Sequence, residues 1–159
     1  MTIIDDVQAA NAAYAAGFAK GGLGMPPARR FAVVTCMDAR LDPAKFLGLE
    51  EGDAHVIRNA GGIVNHETLR SLVISHHLLG TQEALVIGHS DCGMLTFTND
   101  DIHAKLGPAS ESIDFQPFPD VDERVRESVD AIRSAPLLPD SFGATGFVYE
   151  VETGRLRPV

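Results

Sequence analysis

Apolar residues along this chain gather into three short unbroken runs: Phe31-Ala32-Val33-Val34-Thr35, Ala54-His55-Val56-Ile57 and Ala84-Leu85-Val86-Ile87. None alternates polar with apolar, which is the pattern of strands covered on both faces in a parallel sheet. The segments between them read as helices. Asp42-Pro43 opens a short one through Leu47, with Asp as cap and Pro at the first helical position, and Gly48 stops it. A longer one runs from Asn65 as cap to Gly80 as stop, with Leu69, Leu72, Val73, His76 and Leu79 on one stripe. Strand, helix, strand, helix, strand predicts a parallel sheet in an α/β fold.

Beyond Gly107 the pattern changes. Pro108, Pro117 and Pro119 punctuate a polar loop, and Asp120-Val121-Asp122-Glu123 has the form of a capping box. Val121, Val125, Val129 and Ile132 then repeat at helical spacing until Pro136 ends the helix. The tail, Gly146 to Val151, then Thr153-Gly154, then Leu156, predicts a closing hairpin. From about Thr2 to Lys20 an Ala-rich helix carries no strong stripe, which suggests an arm packing outside its own core. No internal repeat or dividing linker interrupts the chain, so residues 1–159 are expected to form one domain with 1–20 as the arm.

Composition narrows the function classes. The chain has 159 residues, 45% of them hydrophobic, enough for one ordinary core. A net charge of −9, spread along the chain, argues against a nucleic-acid partner. Asp5 and Asp6 stand where a secretory signal would be basic, and no apolar run has membrane-spanning length, so a soluble, cytoplasmic protein with no membrane partner is expected. Two cysteines, Cys36 and Cys92, make no disulfide framework and point to ligand or redox chemistry in a reducing compartment. The absence of a Cys-x-x-Cys motif ranks redox below metal.

Cys36 falls at the carboxyl end of the first predicted strand, and His89 and Cys92 follow the third. Ligands bind parallel sheets at that edge, so three metal-ligating side chains converge there. Two thiolates and an imidazole suit zinc, and three protein ligands leave a fourth position open, as in catalytic sites. Asp38 and Arg40, two apart in a segment read as extended, are placed to pair at the metal's edge. There Asp38 can accept a hydrogen bond from a metal-bound hydroxide while Arg40 holds the carboxylate away from the metal. Two thiolates neutralise Zn²⁺, so bound water should be less acidic than in an all-imidazole site and activity should rise toward alkaline pH. Arg58-Asn59-Ala60-Gly61-Gly62 lacks the spacing of a phosphate loop and reads as a tight turn, its glycines permitting close approach to the metal loop. His55, His66, His76, His77 and His103 read as structural or exposed, with His66 the nearest to a proton shuttle; Phe97, Phe115 and Phe118 read as core or loop anchors.

Cys36-Met37-Asp38-Ala39-Arg40, Arg58-Asn59-Ala60-Gly61 and Gly88-His89-Ser90-Asp91-Cys92-Gly93 resemble the three signatures of the β-class carbonic anhydrases. The short length and Met37-Asp38-Ala39-Arg40-Leu41-Asp42 are similar to the compact bacterial and archaeal branch, which also includes carbonyl sulfide and carbon disulfide hydrolases. The resemblance implies one zinc per subunit on Cys36, His89 and Cys92, with Asp38 and Arg40 as catalytic residues. It implies four parallel strands with an antiparallel edge, flanked by helices, and a homodimer or dimer of dimers whose N-terminal helix lies across the neighbour. The implied activity is reversible hydration of carbon dioxide to bicarbonate by a zinc-bound hydroxide. Carbonyl sulfide or carbon disulfide hydrolysis by the same centre, and a catalytically silent zinc protein, stay open as alternatives. The Gln and Tyr of the plant-like pocket have no counterpart shortly before Cys36, and with no Trp the bicarbonate-inhibited form of regulation is not expected.

Overall fold

The apolar runs form strands β1 (Phe31–Cys36), β2 (Ala54–Asn59) and β3 (Glu83–His89), and the tail supplies β4 (Gly143–Glu150) and β5 (Arg155–Pro158). These come from a computed structural model that describes residues 2–159; Met1, the first residue of the expected arm, lies outside the described residues. The sheet order is β2-β1-β3-β4-β5. The first four strands are parallel and β5 runs antiparallel to β4, the four-plus-edge arrangement expected above.

All six residues of β1 are buried, which is why its sequence is apolar without alternation. Ala32 and Val34 join a cluster with Leu72 of helix α3 (His66–Leu79) and Val125, Val129 and Ile132 of helix α5 (Val121–Arg133). Phe31 and Val33 pack on the opposite face with Ile87, against Phe46 and Leu47 of helix α2 (Pro43–Leu47). The expected caps close these helices. Asp42, Asn65 and Asp120 accept from the backbone N–H groups of Lys45, Thr68 and Glu123, and Gly48 and Gly80 end α2 and α3 in the left-handed conformation.

Two elements depart from expectation. Helix α1 covers Ile3–Ala16, ending at Gly17 rather than near Lys20, and none of its residues is buried. Helix α4 (Asn99–Leu106) was not anticipated, because it too buries no residue and so shows no apolar stripe; its signal is the Thr98–Asp101 capping box. No helix among the described residues is long and apolar enough to cross a membrane.

Helix α5 sits unusually close to the sheet through one side chain. A Cβ on Gly88 would lie 2.7 Å from Cγ2 of Val125, and one on Gly146 would lie 2.7 Å from Cγ1 of the same residue. Val125 therefore occupies a notch made by two glycines on neighbouring strands. Gly146→Ala is expected to lower stability by about 1–2 kcal/mol, the overpacking cost less the strand propensity gained. Urea unfolding checks this, and adding Val125→Ala should give less than the sum of the two single losses because the sites share one space.

Candidate metal centre

The chain crosses from β1 to β2 on one side and returns to β3 on the other, so the carboxyl ends of β1 and β3 form the sheet's switch point. Cys36 is the last residue of β1 and His89 the last of β3; Cys92 follows His89 and precedes a single helical turn, Gly93–Leu95. All three are buried, and their ligand atoms lie within 4.8 Å of one another. Nδ1 of His89 lies 2.8 Å from the Ser90 carbonyl, which can only accept, so Nδ1 carries the proton and Nε2 presents its lone pair to the cluster. Nε2 is buried without a hydrogen-bond partner, the condition of a nitrogen reserved for a ligand.

Cys36 depends on the turn after β2 for its position. Gly62, at φ +62°, brings its backbone so close that a Cβ would lie 2.7 Å from the Cys36 nitrogen and from the Thr35 carbonyl carbon. Asn59 holds this turn by accepting from the Ile63 N–H at 2.9 Å and donating to the Ile63 carbonyl at 2.9 Å. Arg58 to Gly62 is thus a tight turn, and Gly62 permits its close approach to Cys36.

Asp38 and Arg40 pair as expected, but not by the expected route. The segment is a turn, with Leu41 N–H bonded to the Asp38 carbonyl, and the Arg40 backbone N–H itself donates to Asp38 Oδ1 at 2.9 Å. The short polar side chain turns back on the chain, a local bond that an extended reading misses. Arg40 Nε and Nη2 then grip Oδ1 and Oδ2 at 3.0 and 2.8 Å. Oδ2 lies 3.8 Å from Nε2 of His89, at the edge of the ligand cluster.

The carbonic anhydrase family model matches residues 31–116, the stretch that contains every residue of this arrangement. Over the whole chain the protein is 46% identical to Beta-carbonic anhydrase 1 of Mycobacterium tuberculosis, of which the match covers 99%. The chain belongs to the β-carbonic anhydrase family. The family's fold is matched closely in the solved carbonic anhydrase of Streptococcus mutans, 44% identical, with a TM-score of 0.94 over 100% of this chain and 98% of that one. A carbon disulfide hydrolase of Acidianus sp. is 37% identical over 84% of this chain and 79% of its own length.

Within this β-carbonic anhydrase site each ionisable group acts on its neighbours. The Arg40 side chain, and then its backbone N–H, hold the Asp38 carboxyl far below the usual carboxylate range. The neighbouring Cys92 thiol lowers the Cys36 thiol against the opposing effect of burial, while the Cys36 sulfur and burial raise Cys92. Burial, the largest single influence, disfavours charge on His89, but the Cys36 sulfur, the Ser90 carbonyl and Asp38 together raise the imidazole overall.

Two residues of the site carried no role in the sequence reading. Arg58 donates to the carbonyls of Cys36 and Asp38 at 3.0 and 2.7 Å, clasping the turn that carries the carboxylate. Asp91 is the second partner of Arg40, with Oδ2 2.7 Å from Nη1. Both stood inside the motifs quoted above; what was missing was the proximity of strand ends far apart in sequence. The other histidines bond elsewhere: His55 to Ser75, His76 to the Thr81 carbonyl, His77 to the Leu137 carbonyl and His103 to the Ile113 carbonyl. His66 is exposed on the first turn of α3, pairs with Glu67, and lines an apolar groove with Leu69, Val73 and Leu137.

Proposed function

We propose that this protein catalyses the reversible hydration of carbon dioxide to bicarbonate and a proton, with one zinc ion per chain held by Cys36, His89 and Cys92. One arrangement carries this reading: a Cys-His-Cys donor set with a carboxylate 3.8 Å from the imidazole nitrogen, gripped by an arginine. The donors fit zinc, since two sulfurs and one imidazole suit a borderline-soft ion, and Nε2 of His89 is buried and partnerless. A zinc ion held there would supply the Lewis acidity that makes water a nucleophile.

The residues supply orientation. Asp38, kept ionised by Arg40, can only accept a hydrogen bond, so it aligns the attacking water without becoming the final proton acceptor. Leu41, Ile63, Met94 and Phe118 form one buried cluster with the two cysteines, an apolar setting that favours a small uncharged substrate. The proton leaves to solvent or buffer. Residues 1–159 work as one domain, and the exposed apolar side chains of α1, among them Ile3, Ile4 and Val7, are covered by a second copy in a homodimer or dimer of dimers. Two free thiols suit a cytoplasmic home.

The relationship to the Acidianus carbon disulfide hydrolase favours a second reading, hydrolysis of carbon disulfide or carbonyl sulfide at the same centre. Stopped-flow hydration of carbon dioxide, beside sulfide release from both sulfur substrates on zinc-quantified protein, separates the two. Fast hydration with negligible sulfide is expected, rising from about pH 7 toward 9 because two thiolates offset the ion's charge. Sulfide release with weak hydration would reassign the substrate, and neither activity in a protein that unfolds without metal would make the ion structural. Asp38→Asn should keep zinc and lose roughly 10- to 100-fold in rate, the usual cost of removing a residue that orients a metal's surroundings.

A further inference from the structure

We infer that Asp91 is a positioning residue: it anchors Arg40, and through Arg40 keeps the Asp38 carboxylate clear of the metal position. The inference rests on the proposed metal site and deepens it. Arg40 uses four of its five side-chain N–H donors on two aspartates. Nε and Nη2 take Oδ1 and Oδ2 of Asp38, Nη1 takes Oδ2 of Asp91 at 2.7 Å, and the second hydrogen of Nη2 takes the Asp91 carbonyl at 2.9 Å.

The Asp38 oxygen held by Nη2 is the one that lies 3.8 Å from His89 Nε2, so losing that one bond frees the oxygen nearest the ligand cluster. A carboxylate released there is itself a zinc ligand. The Arg40 side chain is 47% exposed, and a long exposed side chain tied to one carboxylate is a weak restraint. Asp91 supplies a second fixed point. It lies between His89 and Cys92, and its backbone at φ +53° is in a conformation that Asp, Asn and Gly tolerate best. The loop around it is tied to β4, with Ser90 N–H bonded to the Tyr149 carbonyl at 3.0 Å and Val151 N–H to Ser90 Oγ at 2.9 Å. Arg40 keeps both oxygens of Asp38 within 3.0 Å while bound to Asp91, so one guanidinium holds the two carboxylates at once. Arg40 thus bridges the loop after β1 to the loop after β3.

Asp91→Asn and Asp91→Gly both suit the left-handed backbone and remove the charge. In zinc-loaded protein each is expected to keep one zinc per chain and to hydrate carbon dioxide about tenfold more slowly near pH 7, the factor for one weakened charge-assisted hydrogen bond. The midpoint of the pH–rate profile should move up by about one unit for that tenfold change, with the alkaline plateau within about twofold of wild type. A crystal structure of zinc-loaded Asp91→Asn at neutral pH should show Asp38 turned from Arg40 toward the ion. An unmoved midpoint, or a fall equal at every pH, with Asp38 still in the grip of Arg40, would reduce Asp91 to a surface ion pair and overturn the inference. A wild-type chain that binds no zinc overturns the metal site and this inference together. A wild-type chain that binds zinc without hydrating carbon dioxide overturns only the proposed activity, and the position of Asp38 in the crystal still decides the role of Asp91.

Discussion

Cys92→Ala is expected to release the metal and abolish activity together. Cys92 is one of three buried ligands, and with two left the site has too few donors to hold a tetrahedral ion against water. Loss of an outer partner of a metal ligand already weakens binding roughly 10- to 100-fold, so loss of a ligand should exceed that. The fold should persist, because removing one sulfur from a packed cluster costs about 1 kcal/mol. Zinc per chain after dialysis, hydration rate and thermal unfolding of the same preparation check the three parts. A variant that kept one zinc and full activity would remove Cys92 from the ligand set.

Gly62→Ala is expected to be the most damaging single methyl added near the site. At φ +62° an L side chain costs about 1 kcal/mol or more, and the new Cβ would meet the backbone of Thr35 and Cys36 at 2.7 Å. Those atoms belong to a strand buried along its whole length, so they cannot yield as a flexible side chain would. Together the two effects predict about 3 kcal/mol of destabilisation and a melting temperature lower by roughly 10 °C. Because the contact is with Cys36 itself, zinc affinity should fall too. Gly48→Ala is the control: its φ is +61° but nothing lies within 4 Å of the added carbon, so only the conformational cost remains. Equal losses at the two positions would show that the close approach to Cys36 is not what Gly62 secures.

The elements most legible in the chain were those determined by neighbours in sequence. Asp42, Asn65 and Asp120 cap their helices with side chains three residues from the N–H they satisfy, and Gly48 and Gly80 end theirs by a conformation of their own backbone. Burial on both faces made β1 readable as an apolar run. Elements lacking a buried face are hard to read: the pattern carries α1 to Lys20, past its end at Ala16, and gives no sign of α4, since a helix without an apolar stripe leaves only its caps as a signal. The spacing of Asp38 and Arg40 predicts their pairing across an extended segment, whereas the pair forms in a turn in which the backbone N–H of Arg40 bonds the carboxylate.

By itself the sequence determined the fold class, the carboxyl-edge location of Cys36, His89 and Cys92, and the motifs that mark the family, since strand ends and parallel order follow from local pattern and short connections. Only the tertiary structure decided how the site is held. Gly62 against Cys36, Arg58 on the carbonyls of Cys36 and Asp38, Arg40 shared between Asp38 and Asp91, and Val125 between Gly88 and Gly146 join residues up to 58 positions apart in the case of Gly88 and Gly146. The glycine contacts depend on the separation of two packed elements to within a few tenths of an ångström. That separation is set by the close packing of the whole interior, and no window of sequence contains it.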